Sequence, residues 1–129
     1  MQNIIIEETE NTPAIHFDFQ NGEFEIRGVS FPEYAKEFYE PILEALREYT
    51  AHPLVFKTRL TFKFTYFNTG TNSFITDLMK ELERITDLEG YQVEVIWYYE
   101  EDDEDMKELG DYFESLTNLP VKFVECEEM

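Results

Sequence analysis

Cysteine is almost missing from this chain: Cys126 is the only one in 129 residues. A lone thiol forms no internal disulfide and no zinc cluster. Its neighbours Glu125, Glu127 and Glu128 are anions that raise a thiol's pKa and argue against a reactive nucleophile. Positive charge is scarce as well, with 10 Lys and Arg against 29 Asp and Glu and a formal net charge of -19. Nucleic acid and anionic membrane both require a basic footprint, so neither is an expected partner. The only histidines, His16 and His52, are isolated and fit neither a metal site nor a nucleophile–base pair. No Gly-Lys-Ser/Thr is present, which removes a P-loop. No stretch approaches the roughly 18 apolar residues of a membrane span. The opening MQNIIIEETEN has no basic n-region and too short an apolar run for a signal peptide, so a cytoplasmic protein is expected.

What remains is a patterned, aromatic chain. Hydrophobic residues make up 43% and aromatics 16%, enough to build a core and to exclude disorder despite the charge. The length predicts one domain over residues 1–129. Residues 2–7 read as a short strand. Ile15–Phe19 and Glu23–Ile26 each alternate apolar and polar around Asn21-Gly22, which predicts a hairpin with a type I′ turn. Ser30, Pro32 and Glu33 read as the cap and first turn of a helix that carries Ala35, Phe38, Ile42, Ala45, Leu46 and Tyr49 inward. Pro41 should kink it or split it.

A strand over 54–67 follows, with Leu60, Phe62, Phe64 and Tyr66 on one face. A second helix over 71–88 presents Phe74, Ile75, Leu78, Leu82 and Ile85. Then come a strand over 91–99, a helix carrying Met106, Leu109, Phe113 and Leu116, and a last strand over 121–124. Helices alternating with strands imply parallel crossovers, and the leading hairpin adds antiparallel edge strands. The expected fold is therefore α/β: one mixed sheet with an N-terminal hairpin and about three helices packed mainly on one face.

Three features compete for function. At Asn68-Thr69-Gly70-Thr71-Asn72-Ser73 a strand hands over to hydroxyl-bearing residues at a helix start. Structurally this is an ordinary N-cap with Gly70 in an awkward dihedral. Functionally it suits a covalently attached phosphate, because a helix N-terminus favours negative charge. The acidic run Glu100–Asp105 could hold a hard cation, but it lacks the alternating ligands and central glycine of an EF-hand, and acids also favour the first turn of a helix. Trp97-Tyr98-Tyr99 is either core packing or a set of interface anchors.

These residues carry a resemblance to the SiaC family of bacterial regulatory phosphoproteins. It runs from Thr12-Pro13-Ala14-Ile15 and the hairpin Phe17–Ile26 through Gly28-Val29-Ser30-Phe31-Pro32-Glu33, similar to that family's G-x-S-Y-P-E. The most specific blocks are Tyr66-Phe67-Asn68-Thr69 and Val93–Tyr99 with its acidic tail. The resemblance implies a STAS-like fold similar to anti-sigma-factor antagonists, switched by phosphorylation at a strand-to-helix turn. It makes Thr69 the phosphoacceptor. The family usually continues with Thr-Ser-Ser, whereas this chain has Thr69-Gly70-Thr71-Asn72-Ser73, so Thr71 and Ser73 stand as alternates. The resemblance also implies a SpoIIAB-like Ser/Thr kinase, a PP2C-type phosphatase and, as the output, a diguanylate cyclase bound and activated by the unphosphorylated form.

The resulting expectation is a non-enzymatic switch without cofactor or metal. Its docking surface would comprise Asn68 and Gly70 beside Thr69, the aromatic run Trp97, Tyr98 and Tyr99, and Asp102 and Asp103. The rivals are a constitutive adaptor built on Trp97–Tyr99 and a cation binder near Asp102 and Asp105.

Overall fold

The computed structural model describes residues 1–129. Six strands and three helices follow one another as β1 (Ile4–Ile6), β2 (Ala14–Asp18), β3 (Glu23–Ser30), α1 (Ala35–Ala51), β4 (Lys57–Phe67), α2 (Thr69–Glu83), β5 (Gln92–Glu100), α3 (Glu104–Ser115) and β6 (Val121–Cys126). A 3₁₀ turn over Arg84–Asp87 extends α2. The strands lie in the sheet in chain order. β1, β2 and β3 pair antiparallel, and β3 through β6 pair parallel. Each parallel step needs a crossover, and α1, α2 and α3 supply the three. The mixed sheet read from the sequence is the one that forms.

All three helices cover the same face. There Phe17, Phe24, Ile26, Leu60, Phe62, Val95 and Trp97 are buried against Leu46 and Tyr49 of α1, Ile75 and Leu82 of α2, and Met106 and Phe113 of α3. The aromatics meet edge-on or tilted, as Phe24 and Tyr49 do at 5.1 Å and Trp97 and Phe113 at 5.6 Å, the arrangement that ring quadrupoles prefer. The other face is open and carries alternating charge. Arg59 reaches Glu94 at 2.7 Å and Glu23 at 3.1 Å, and Lys63 reaches Glu25 at 3.0 Å. Such pairs stabilise little individually when exposed, but they keep an uncovered sheet face polar.

Several local readings are corrected. The hairpin turns through four residues, Phe19–Gly22, because Asp18 pairs with Glu23. Only Gly22 has positive φ, so Asn21 is not in a type I′ turn; Asp18 instead accepts hydrogen bonds from the Asn21 backbone and side-chain N–H groups. Ser30 is the last residue of β3 and not a helix cap. It is fully buried, and α1 begins at Ala35 after Tyr34. Pro41 lies within a single unbroken helix, on its exposed side. β4 starts at Lys57, and α2 starts at Thr69, two residues before the expected Thr71. Phe74 is only partly buried, stacked on Tyr39 at 5.2 Å, and Leu116 is exposed.

The largest departure is Tyr66, expected inward and found 53% exposed. Opposite Gly28 and Val29 the β3–β4 register skips a residue, pairing Gly28 with Phe64 and Val29 with Tyr66. The extra residue, Thr65, turns Tyr66 outward and returns Phe67 to the core. A β-bulge re-aims side chains in this way.

α3 reaches β5 only because Gly110 has no side chain. A Cβ there would lie 2.6 Å from Trp97 Cδ1 and 2.7 Å from Phe123 Cε1. Gly110→Ala is therefore expected to destabilise the protein by about 1–3 kcal/mol through overpacking, despite alanine's better helix propensity. Urea unfolding followed by Trp97 fluorescence measures it; an unchanged or raised midpoint would show that α3 is free to move away.

Candidate functional site at the strand-to-helix turn

The C-terminal ends of the four parallel strands share one edge of the sheet, the edge where open α/β sheets bind ligands. Three connections leave from it: Phe31–Tyr34 after β3, Asn68 after β4 and Glu101–Asp103 after β5. The middle one carries Thr69.

Asn68 is extended, with φ -95° and ψ 173°. Its backbone N–H donates to the Ser30 carbonyl at 3.0 Å, and its own carbonyl accepts from the Thr71 N–H at 3.0 Å. Its side chain caps no backbone N–H; Asn68 Oδ1 instead faces the Thr71 hydroxyl at 3.3 Å. Beneath the turn lies a chain of buried hydroxyls. Tyr39 Oη is 2.6 Å from Ser30 Oγ, Ser30 Oγ is 2.8 Å from Thr71 Oγ1, and Thr71 Oγ1 is 3.1 Å from the Ser30 carbonyl. One proton arrangement serves all three: Tyr39 donates to Ser30, Ser30 to Thr71, and Thr71 to the carbonyl. The network ties the end of β3 to α1 and to the first turn of α2.

The three hydroxyl candidates therefore differ. Thr69 is exposed at the first helical position, and Ser73 is exposed one turn on. Thr71 is fully buried with its hydroxyl engaged, so modifying it requires the turn to open. Gly70 is exposed, does not have positive φ, and its nearest neighbour to an added Cβ is Asn68 Oδ1 at 3.5 Å. The awkward dihedral expected there is absent.

The remaining candidates separate in space. Trp97 is 1% exposed, donates its indole N–H to the Met106 carbonyl at 3.0 Å and packs on Phe62; it belongs to the core and not to the surface. Tyr98 lies on the open sheet face, with Lys63 Nζ 4.7 Å above its ring. Tyr99 is partly buried against the core. Asp103 caps α3, accepting from the Met106 N–H at 3.0 Å, and Glu104 and Asp105 occupy the first turn. This is the helix-start arrangement that acids favour. Asp102, just before the cap, is exposed. Burial, then Glu100, push the Cys126 thiol above its ordinary pKa.

Three exposed aromatics at this edge are not among the docking residues expected from the sequence. Phe31 is 40%, Tyr34 64% and Tyr66 53% exposed, and the Phe31 and Tyr66 rings meet edge-to-face at 5.8 Å. A glycine inside a strand, Gly28, was the available signal that the alternation would break.

The site is thus an exposed hydroxyl at a helix start, framed by exposed aromatics, on a small α/β domain. The SiaC family regulatory phosphoprotein profile matches residues 6–126. An uncharacterised protein of Pseudomonas aeruginosa strain UCBPP-PA14 is 28% identical over 123 residues, spanning 93% of this chain and 94% of its own. SiaC of Pseudomonas aeruginosa superposes with a TM-score of 0.86 at 24% identity, over 98% of this chain and all 100% of its own. The SiaC structure in complex with the diguanylate cyclase SiaD, which it activates, superposes with a TM-score of 0.87 at 24% identity over 95% and 99%. The chain belongs to the SiaC family of regulatory phosphoproteins. No helix is long and apolar enough to cross a membrane.

Burial pushes the Tyr39 hydroxyl up to about 12, against the opposing pull of its Ser30 and Thr71 partners. A phenol whose folded pKa is raised contributes stability that is complete below its unfolded pKa of about 10 and lost as pH rises towards 12. Ultraviolet titration should show late-ionising tyrosine, and Tyr39→Phe should remove one such late step. An unchanged titration would mean that the Tyr39 hydroxyl reaches solvent.

Proposed function

We propose that this protein is a phosphorylation switch that acts by binding rather than catalysis, with Thr69 as the phosphoacceptor. The observation that carries it is the contrast within one helical turn: Thr69 is exposed, while Thr71 beside it is buried and hydrogen-bonded. A kinase reaches the first without disturbing the second. Membership of a family of regulatory phosphoproteins supports the same reading.

A phosphate carries about -1.5 to -2 charges and three acceptor oxygens. On the first residue of α2 it sits against the positive end of the helix dipole, so the folded domain tolerates it. A partner docked over the turn would not. It would have to strip water from a dianion, and without a cation opposite, that desolvation weakens the complex. The unmodified form is thus the binding form.

The partner we assign is a diguanylate cyclase, because the SiaC of similar fold is crystallised with the cyclase it activates. A SpoIIAB-like kinase and a PP2C-type phosphatase complete the cycle in the cytoplasm. Ser73 is the alternate acceptor that the geometry leaves open.

Phosphopeptide mass spectrometry on residues 60–80 of protein isolated from its host should find phosphate on Thr69. In binding assays with the host's diguanylate cyclase, Thr69→Glu should weaken the complex at least about tenfold, equivalent to 1.4 kcal/mol, while Thr69→Ala binds like the parent. Equal binding by all three forms would leave a constitutive adaptor instead.

A further inference from the structure

The exposed aromatics beside Thr69 have a cause in the backbone. Gly28 has φ +104°, and a Cβ there would lie 2.7 Å from Glu8 Oε2. That conformation suits glycine and accompanies the register break that expels Tyr66. On unbroken alternation Tyr66 would sit inward with Phe62 and Phe64. Turning it out leaves an aromatic ring in water that the core could have taken. It does not stand alone. Phe31 packs on it, held in place by its backbone N–H on the Asn11 carbonyl at 2.9 Å, and Tyr34 follows in the same connection.

The position relative to Thr69 is fixed by the Asn68–Ser30 backbone bond. Phe31 and Thr69 each follow a member of that bonded pair, so the aromatic pair and the hydroxyl lie at the same end of two adjacent strands. Acids crowd the same end of the sheet: exposed Glu33 in the first connection, exposed Glu101 and Asp102 after β5, and exposed Glu104 and Asp105 in the first turn of α3. There is no Lys or Arg between Ser30 and Ala35 or between Glu100 and Asp105.

We infer that Phe31, Tyr34 and Tyr66 form the docking surface, and that its occupant is a protein segment presenting apolar side chains flanked by Lys or Arg. This rests on the partner-binding reading above and names its contact surface. Exposed aromatics with acids in the neighbouring connections fit the apolar centre and charged rim of protein interfaces. The acidic rim selects a basic partner and speeds encounter; an anionic membrane or nucleic acid would be repelled. The same layout explains how a phosphate opposes a basic partner: Thr69 adjoins the apolar centre, where partner side chains pack, and not the rim, where its cations lie.

The test uses the purified, unphosphorylated full chain and two amphipathic helical peptides sharing a Leu/Phe stripe, one flanked by Arg and the other by Glu. Amide shifts in a two-dimensional NMR titration should move at Phe31, Tyr34, Tyr66 and Asn68–Gly70 with the Arg peptide only. Added salt should weaken the effect. Phe31→Ser and Tyr66→Ser, both at exposed positions, should weaken the Arg peptide at least tenfold; Phe56→Ser, on an exposed aromatic outside the three connections of this edge, should not. Shifts centred on Leu54, Phe56 and Leu88, equal binding of the Glu peptide, or no shifts at this edge would each overturn the proposal. Its failure would leave Thr69 phosphorylation untouched. A Thr69 that is never phosphorylated would sink the switch and leave the peptide result standing.

Discussion

The parallel pairing of β3 with β4 is the constraint on which the site is built. It brings Ser30 opposite Phe67, and the next backbone bond, Asn68 to Ser30, ends the ladder where α2 must begin. Three consequences share that origin. Ser30 is buried, so its hydroxyl has to be satisfied inside, and Tyr39 and Thr71 are the groups that do it. The bulge at Gly28 and Val29 displaces the register by one residue, so Tyr66 faces solvent while Phe67 closes the core. Thr69, next after Asn68, leaves the sheet at its edge. Each buried polar group here has a partner, and losing one would strand another at a cost of about 1–3 kcal/mol.

The distribution of charge follows the same division. Much of the scarce positive charge is placed on the open sheet face, where Arg27, Lys57, Arg59 and Lys63 each pair with glutamates. There Arg59 holds the Glu94 carboxyl below its ordinary pKa. This leaves the connections at the parallel edge with acids and almost no counter-cation. The net charge of -19 is thus unevenly spread: one face is near balance, and the edge carrying Thr69 is negative. A global charge count argues against nucleic acid and anionic membrane but does not say where on the surface the negative charge lies.

The fold was largely legible because each element announces itself by period. Phe17, Phe24, Ile26, Leu60, Phe62, Val95 and Trp97 alternate as a half-buried sheet requires, and Ile75, Leu78 and Leu82 recur at helical spacing. What could not be read were effects of one strand on another. Tyr66 continues the apolar spacing of Leu60, Phe62 and Phe64 in the sequence and is turned out by the register break opposite Gly28 and Val29, which leaves Thr65 as the extra residue. Ser30 has every local mark of a cap and is claimed instead by Tyr39 and Thr71, 9 and 41 residues away. Trp97, Tyr98 and Tyr99 are adjacent and read from the sequence as one set. In a strand adjacency puts neighbours on opposite faces, and only Tyr98 reaches the open side. The turn itself was legible, since strand, hydroxyl cluster and helix follow without interruption, but its surroundings come from other parts of the chain.

The hydroxyl chain also constrains how a switch at this turn can work. Thr69 contributes no side-chain hydrogen bond to it; Thr71, Ser30 and Tyr39 complete it among themselves. A phosphate added to Thr69 therefore has no internal bond to break, and it lies where the helix dipole favours it. Refolding of the turn would mean exposing Thr71 and Ser30, both now fully buried, against a network with no unsatisfied member. The cheaper response is to leave the backbone in place and alter only the chemistry of the surface. A switch of this kind changes what the edge will accept while keeping its shape, so the energy difference between its states appears in the complex and not in the free domain. The buried network would make that separation possible: with Thr69 phosphorylated, its hydrogen bonds would still be intact, and a partner would read one side chain.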